Sequence, residues 1–275
     1  MNETYKVLVD ENQFLTFLDR LGDIFPYETY LVNTAFRSKK LTDEERKQLG
    51  ARNREVYLTK VIRGSDGCRV NTENALQKMY ELEVPVKCLT FNRGTKDEIS
   101  LPQKAMTTFI CCNPSDEKKV AIKHKKEVIE IQDNITLSSD GGVDGKNQLA
   151  NTNSDFRAER MKCNRVKWID FDIDVENIEE LNREEFKEYI RGFFKEASIF
   201  HNLNGMIVST SGGFHILVDK NCNKGNPNEF AKSLATFLTN KKGVVKEVEF
   251  KSGPCMTPCP GILQYNSYIV NWEEL

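Results

Sequence analysis

Acidic and large apolar residues alternate most tightly along Lys167-Trp168-Ile169-Asp170-Phe171-Asp172-Ile173-Asp174. Successive side chains of a strand point to opposite faces, so Asp170, Asp172 and Asp174 share one face and Ile169, Phe171 and Ile173 line the other. Same-face neighbours stand roughly 6.5 Å apart along the backbone, and a row of carboxylates at that spacing repels itself unless cations lie between its members. Basic side chains or divalent metals would meet that demand. Apolar and β-branched runs predict further strands at 5–9, 30–36, 56–62, 107–112, 206–209, 214–218 and 244–250.

Helical spacing predicts the remaining elements. Behind a cap at Asp10, Phe14, Leu15, Leu18, Leu21 and Phe25 recur on one stripe until Pro26. Shorter helices are expected over 42–48 and 74–82, and a strongly amphipathic one over 182–200 with Phe186, Ile190, Phe193 and Phe194 on its apolar stripe. Asn226-Pro227-Asn228-Glu229 supplies a cap, a first-turn proline and an acid for a helix through 238. Residues 134–153 carry turn formers and read as a loop. From residue 166 the order is therefore strand, helix, strand, strand, helix, strand, the βαββαβ order of ferredoxin-like and RRM-like sheets. The expected fold class is α+β: an N-terminal α/β module over 1–133, a loop or linker over 134–155, and a βαββαβ module over 156–275.

The chain of 275 residues is 39% apolar and 29% charged, an ordinary balance for a folded core. Its net charge of −2 at pH 7 gives no global basic signature, so nucleic acid would have to meet a local patch. No stretch reaches the length of a membrane span and the N-terminus lacks the apolar core of a signal peptide, which leads to an expectation of no membrane partner and a cytoplasmic location, or a nuclear one in a eukaryote. The eight cysteines are scattered, which favours reduced thiols. Cys255 and Cys259 form a C-x3-C pair that, with Cys222, could make part of a zinc site; buried structural thiols are the other reading.

Two other stretches carry chemistry. In Ser211-Gly212-Gly213-Phe214-His215-Ile216-Leu217-Val218, His215 is the strongly polar side chain of an apolar strand that begins at a glycine turn. Glycines let a ligand approach the backbone, and a serine hydroxyl, free N–H groups and an imidazole can bind phosphate oxygens; a hairpin turn with a core histidine is the other reading. In a βαββαβ sheet the first and third strands are neighbours, so this turn and the aspartate strand can face one ligand. Glu247 and Glu249 share a face of the last strand, where either could complete a metal cage or simply meet solvent. The basic run Arg157, Arg160, Lys162 and Arg165 leads into the aspartate strand, where a solvated helix face explains it as well as contacts to a nucleic-acid template do.

These stretches resemble the archaeo-eukaryotic primase superfamily, which includes primase small subunits and primase-polymerases. Trp168 to Asp174 matches its first motif, an apolar strand with two spaced acids, which both Asp170/Asp172 and Asp172/Asp174 satisfy. Ser211 to Val218 is similar to its Ser-x-His motif, Glu249 or Glu247 takes the place of its third acid, Pro260-Gly261 is similar to the turn that follows in some members, and Thr108 to Pro114 resembles a strand of the N-terminal module. The resemblance implies an α+β catalytic core that makes or extends primers on single-stranded DNA from NTP or dNTP. It implies two Mg2+ or Mn2+ ions on Asp170, Asp172, Asp174 and Glu249 (or Glu247), with Ser211, Gly212, Gly213 and His215 at the triphosphate. The chain has no Gly-x4-Gly-Lys-Ser/Thr phosphate loop, so unwinding is expected of a separate helicase or other replication protein. Two alternatives are a non-catalytic RRM-like single-strand-binding module, which would bind without metal, and a nucleotide cyclase on a similar sheet, which would need no template.

Overall fold

The computed structural model describes residues 4–37, 40–49, 54–82, 84–85, 87–89, 98–100, 102–137, 159–160, 162–196, 204–222, 225–242, 245–251 and 253–275. It is a mixed α+β structure whose sheets are antiparallel.

Helix α1 (Glu11–Leu21) starts where the Gln13 N–H donates to the Asp10 carboxylate at 3.0 Å, and it buries Phe14, Phe17, Leu18 and Leu21 along one stripe. Strands β1 (Glu28–Arg37), β2 (Arg54–Arg63) and β3 (Met106–Cys111) form the first sheet with β1 in the middle. Two short helices, α2 (Asp43–Leu49) and α3 (Thr72–Tyr80), flank β2 in sequence. Beyond β3 the chain forms a long helix, α4 (Glu117–Leu137), which takes in the first residues of the stretch expected to be a loop. Residues 138–153 of that stretch lie outside the described residues. With Lys118, Lys119, Lys123, Lys125 and Lys126 crowded on α4, its apolar stripe is thin, which is why periodicity alone did not single it out.

The second sheet is built from β4 (Trp168–Val175), β5 (Gly205–Ser209), β6 (Gly213–Asp219), β7 (Val245–Lys251) and β9 (Asn271–Glu274), with α5 (Arg183–Glu196) and α6 (Pro227–Lys242) at the two crossovers. The strands lie in the order β7-β4-β6-β5-β9. The aspartate strand β4 and the histidine strand β6 are thus adjacent at the centre, and the last strand of the chain extends the edge beyond β5. Strand β8 (Met256–Pro258) leaves this sheet and pairs with β3 in the first one, so a late segment of the chain completes an early sheet.

Alternation on β4 decides how the core divides. Ile169, Phe171 and Ile173 point toward α5 and α6, where Phe171 meets Phe230 at 5.2 Å between ring centroids and Phe194 at 6.4 Å. Trp168, Met206, Val208 and Leu217 point the other way, into a core shared with α1, β1 and β3. The aspartates are on this second face, so the end of the row nearest Trp168 is covered by the first sheet.

Asn113, at the end of β3, ties the two halves together. Its Nδ2 donates to the carbonyls of Trp168 (2.9 Å) and Gly253 (2.6 Å), and its Oδ1 accepts from the N–H groups of Lys167 (2.8 Å) and Trp168 (2.7 Å). The side chain is fully buried, and it is the acceptor of the Lys167 and Trp168 N–H groups, whereas the Gly253 and Trp168 carbonyls also meet the Cys255 N–H and thiol. Pro114 follows and ends the strand. Gly261 makes a second close seam: its φ is +83°, its carbonyl accepts from Val9 and Asp10 at 2.9 Å, and a Cβ there would stand 2.1 Å from the Asp10 carbonyl oxygen. Asn113→Ala is expected to lower unfolding free energy by about 3 kcal/mol, read from urea denaturation, because the Lys167 and Trp168 N–H groups lose their acceptor at once.

Candidate functional site

Antiparallel pairing brings the distant chemical residues onto one grid. Across β4 and β6, Asp172 lies opposite His215 and Asp174 opposite Gly213; across β4 and β7, Asp172 lies opposite Glu249, Asp174 opposite Glu247 and Asp170 opposite Lys251. Two acid–acid pairs therefore stand directly across strands, an arrangement that destabilises a sheet unless positive charge intervenes.

His215 supplies part of that charge. Its Nδ1 lies 3.0 Å from Asp170 Oδ2 and its Nε2 3.4 Å from Asp172 Oδ1. Asp170 is completely buried, and Thr257 Oγ1 on β8 approaches its Oδ2 at 3.5 Å. Burial opposes charge on His215, but the carboxylates of Asp170 and Asp172 outweigh it and hold the imidazole above the ordinary histidine range. Burial likewise opposes charge on Asp172, and the positive charges of His215, Lys251 and Arg37 outweigh it, holding the carboxyl below the usual aspartate range. The Lys251 ammonium, ion-paired with Asp172 and 3.2 Å from Glu249 Oε2, is held above the ordinary lysine range because those contacts exceed its desolvation.

The row opens at its far end into a cleft of about 320 Å³ between the second sheet and the rim of the first. Asp172, Asp174, Ser211, Gly212, His215 and Lys251 line one side, and Arg37, Lys40, Phe109 and Tyr265 the other. Asp170 is not on its wall; it lies behind His215. The Thr210 to Gly213 turn is fixed from both sides, since the Ser211 N–H donates to Gln264 Oε1 at 2.8 Å and Arg183 Nη1 donates to the Thr210 carbonyl at 2.9 Å. The two glycines differ in purpose. A Cβ on Gly213 would stand 1.9 Å from the Ile173 carbonyl oxygen, so this glycine permits close strand pairing, whereas Gly212 borders open space at the cleft.

Arg160, Lys162 and Arg165, the described members of the basic run before β4, are not part of the cleft wall. Arg160 makes a bidentate pair with Glu117 at 2.9 Å, Lys162 pairs with Glu159 at 2.7 Å, and Arg165 pairs with buried Glu28 at 2.7 Å while lying over the Phe25 ring. These bonds join α4 and the β1 entrance to the segment before β4. Arg157 lies outside the described residues. Among the described residues, the lysine and arginine side chains that line the cleft are Arg37, Lys40 and Lys251. Alternation marks Lys251 as sharing the face of Glu247 and Glu249, a signal present in the sequence; nothing local in Arg37 or Lys40 points to the distant aspartates.

Carboxylate oxygens are the donors that Mg2+ and Mn2+ take, and Asp172 and Asp174 offer them at the cleft. Among the described residues no three or more His, Cys, Asp or Glu side chains converge where they could hold a metal ion together. Mg2+ commonly takes one or two carboxylates and fills its remaining positions with water and substrate phosphates, so a two-carboxylate edge suits it. Zinc fares differently. Cys255 and Cys259 are buried in the core, where burial pushes both thiols up and disfavours the thiolate that binds metal, and the Cys222 side chain lies outside the described residues. Among the described residues no helix is long and apolar enough to cross a membrane. No family model, curated protein or solved structure matches the chain.

The Asp170–His215–Asp172 chain has a defined pH signature. His215, with its raised pKa, contributes stability that is full below its unfolded value near 6.5 and is lost as pH rises through the folded value. Asp172, with its lowered pKa, contributes stability that is full above its unfolded value near 3.8 and is lost as pH falls through the folded one. An NMR titration of the His215 ring protons should give a midpoint above 6.5 that drops in Asp170→Asn; a wild-type midpoint at or below 6.5 would refute the assignment.

Proposed function

We propose that the cleft is the centre of a template-dependent nucleotidyltransferase of the primase or primase-polymerase kind, which makes or extends primers on single-stranded DNA. The observation that carries this reading is the meeting of Asp172 on β4 with His215 on β6, two residues from motifs far apart in the chain, at a cleft that also presents Asp174 and three basic side chains. The order β7-β4-β6-β5 supports it as well, since it places the two motif strands side by side as a βαββαβ sheet requires.

In this reading Asp172 and Asp174 would hold Mg2+ or Mn2+, with Glu249 and Glu247 paired opposite them on the neighbouring strand. The bound ions would lower the pKa of an attacking 3′-hydroxyl and stabilise charge on the phosphate being displaced. Arg37, Lys40 and Lys251 attract the triphosphate, and the Ser211–Gly212 turn leaves it room. Asp170 is a positioning residue: it anchors the His215 ring, whose other nitrogen restrains Asp172. Engagement of both ring nitrogens favours this restraining role for His215 over the expected one of phosphate donor. Arg37 lies over the Phe109 ring and Lys40 over the Tyr265 ring, so these aromatics help hold the two cations at the cleft. A single-stranded template and a separate helicase or other replication protein are the partners this chemistry requires.

An RRM-like binding module uses an open sheet face with exposed aromatics. Here the corresponding face carries acids and is packed in part against the first sheet, which argues for metal chemistry over base stacking. Primer synthesis and extension on single-stranded DNA, with labelled nucleotides and Mn2+, test the proposal. Asp172→Ala and Asp174→Ala should fall to background, while His215→Ala should lose about 10- to 100-fold through misplacement of Asp172. Equal incorporation by wild type and Asp172→Ala would overturn the mechanism, and product formed equally without template would indicate a cyclase.

A further inference from the structure

The carboxylate row already holds a cation of its own. Lys251 stands two residues beyond Glu249 on the edge strand β7, and its ammonium bridges Asp172 and Glu249, one of the two acid–acid pairs across the strands. The other pair, Asp174 and Glu247, has no ion-pair partner among the described residues. The ammonium sits on the Asp172 carboxylate, which would also be a ligand of a divalent ion at the cleft, so the two cations compete for the same group. Lys251 is not locked in. Its side chain is 36% exposed and lines the cleft beside Asp172, and a four-carbon stem with rotating donors can turn toward a new anion.

We propose that Lys251 is a resident counter-ion that holds the Asp172–Glu249 position until a divalent ion arrives with a nucleoside triphosphate, and then transfers its ammonium from the carboxylates to the phosphate oxygens. The inference rests on the metal-dependent reading above. An ion arriving alone must expel the ammonium into water, exchanging one favourable cation for another. When the ion comes with a triphosphate, the expelled ammonium gains an anionic partner that replaces the one it loses. Ion and nucleotide therefore bind with positive coupling, and by linkage each tightens the other by the same factor.

The test is Mn2+ binding, followed by the EPR signal of free Mn2+, with and without a non-hydrolysable ATP analogue, in the full chain. For wild type the analogue should tighten Mn2+ binding by about 5- to 100-fold. Lys251→Met should bind Mn2+ alone about tenfold more tightly than wild type, and the gain on adding the analogue should shrink. That second effect separates displacement from general electrostatics, since loss of a distant positive charge would strengthen Mn2+ binding with the coupling unchanged. Lys251→Gln, which keeps a polar stem without the charge, should behave as the Met variant does and covers the case in which Met does not fold. If either folded variant binds Mn2+ no more tightly than wild type, or retains full coupling, the counter-ion role is overturned while the metal site stands. If neither wild type nor variant binds Mn2+ with the analogue present, the metal-dependent reading fails with it.

Discussion

A carboxylate with no exposure to solvent has to be matched by a positive charge or a proton, and the arrangement of the second sheet follows from how Asp170 is matched. Its partner is His215, one strand away, and the pair sits where β4 and β6 are covered by β8 and the first-sheet core. Desolvation of two charged groups is costly, and close geometry is what offsets it. Both ring nitrogens of His215 face acids, so the ring orientation, the position of Asp172 and the start of the cleft are linked. Moving any one of them would leave a buried charge without its counterpart.

The seam between the two sheets has to be equally well matched for that pair to stay dry. Asn113 bonds to four backbone groups around Trp168 and Gly253, and β8 crosses from the second half of the chain to pair with β3. Thr257 on β8 in turn approaches Asp170. The segment that completes the first sheet thus also closes the back of the charged row, and it does so a few residues after Lys251 has neutralised the front. Cys255, between them, is buried against the Trp168 and Lys251 carbonyls and acts as packing.

Much of this was legible in order and in parity. Alternation placed Asp170, Asp172 and Asp174 together, grouped Glu247 with Glu249, and set the apolar side of β4 against two helices. The βαββαβ order made β4 and β6 neighbours, and the apolar run at Thr107 to Cys112 marked β3. Other features left no such trace. Helix α4 is rich in lysine and weak in apolar periodicity. The basic run before β4 looked like a surface for nucleic acid, yet Arg160 and Arg165 are drawn into bidentate pairs with Glu117 and Glu28, acids that lie far away in sequence. Charge composition cannot distinguish a cation waiting for a ligand from one already paired.

The division of the three aspartates shows where local information stops. Strand parity is a property of the backbone, so it was readable from residues 168–174 without knowledge of anything else. Which end of that strand is covered depends on β8 and the first-sheet core, and those surfaces come from the opposite ends of the chain. Packing buried Asp170 with His215 and left Asp172 and Asp174 at the cleft. Three chemically identical side chains on one face thereby acquired different surroundings, because burial and the partners across a fold are set by contacts that no short stretch of sequence contains.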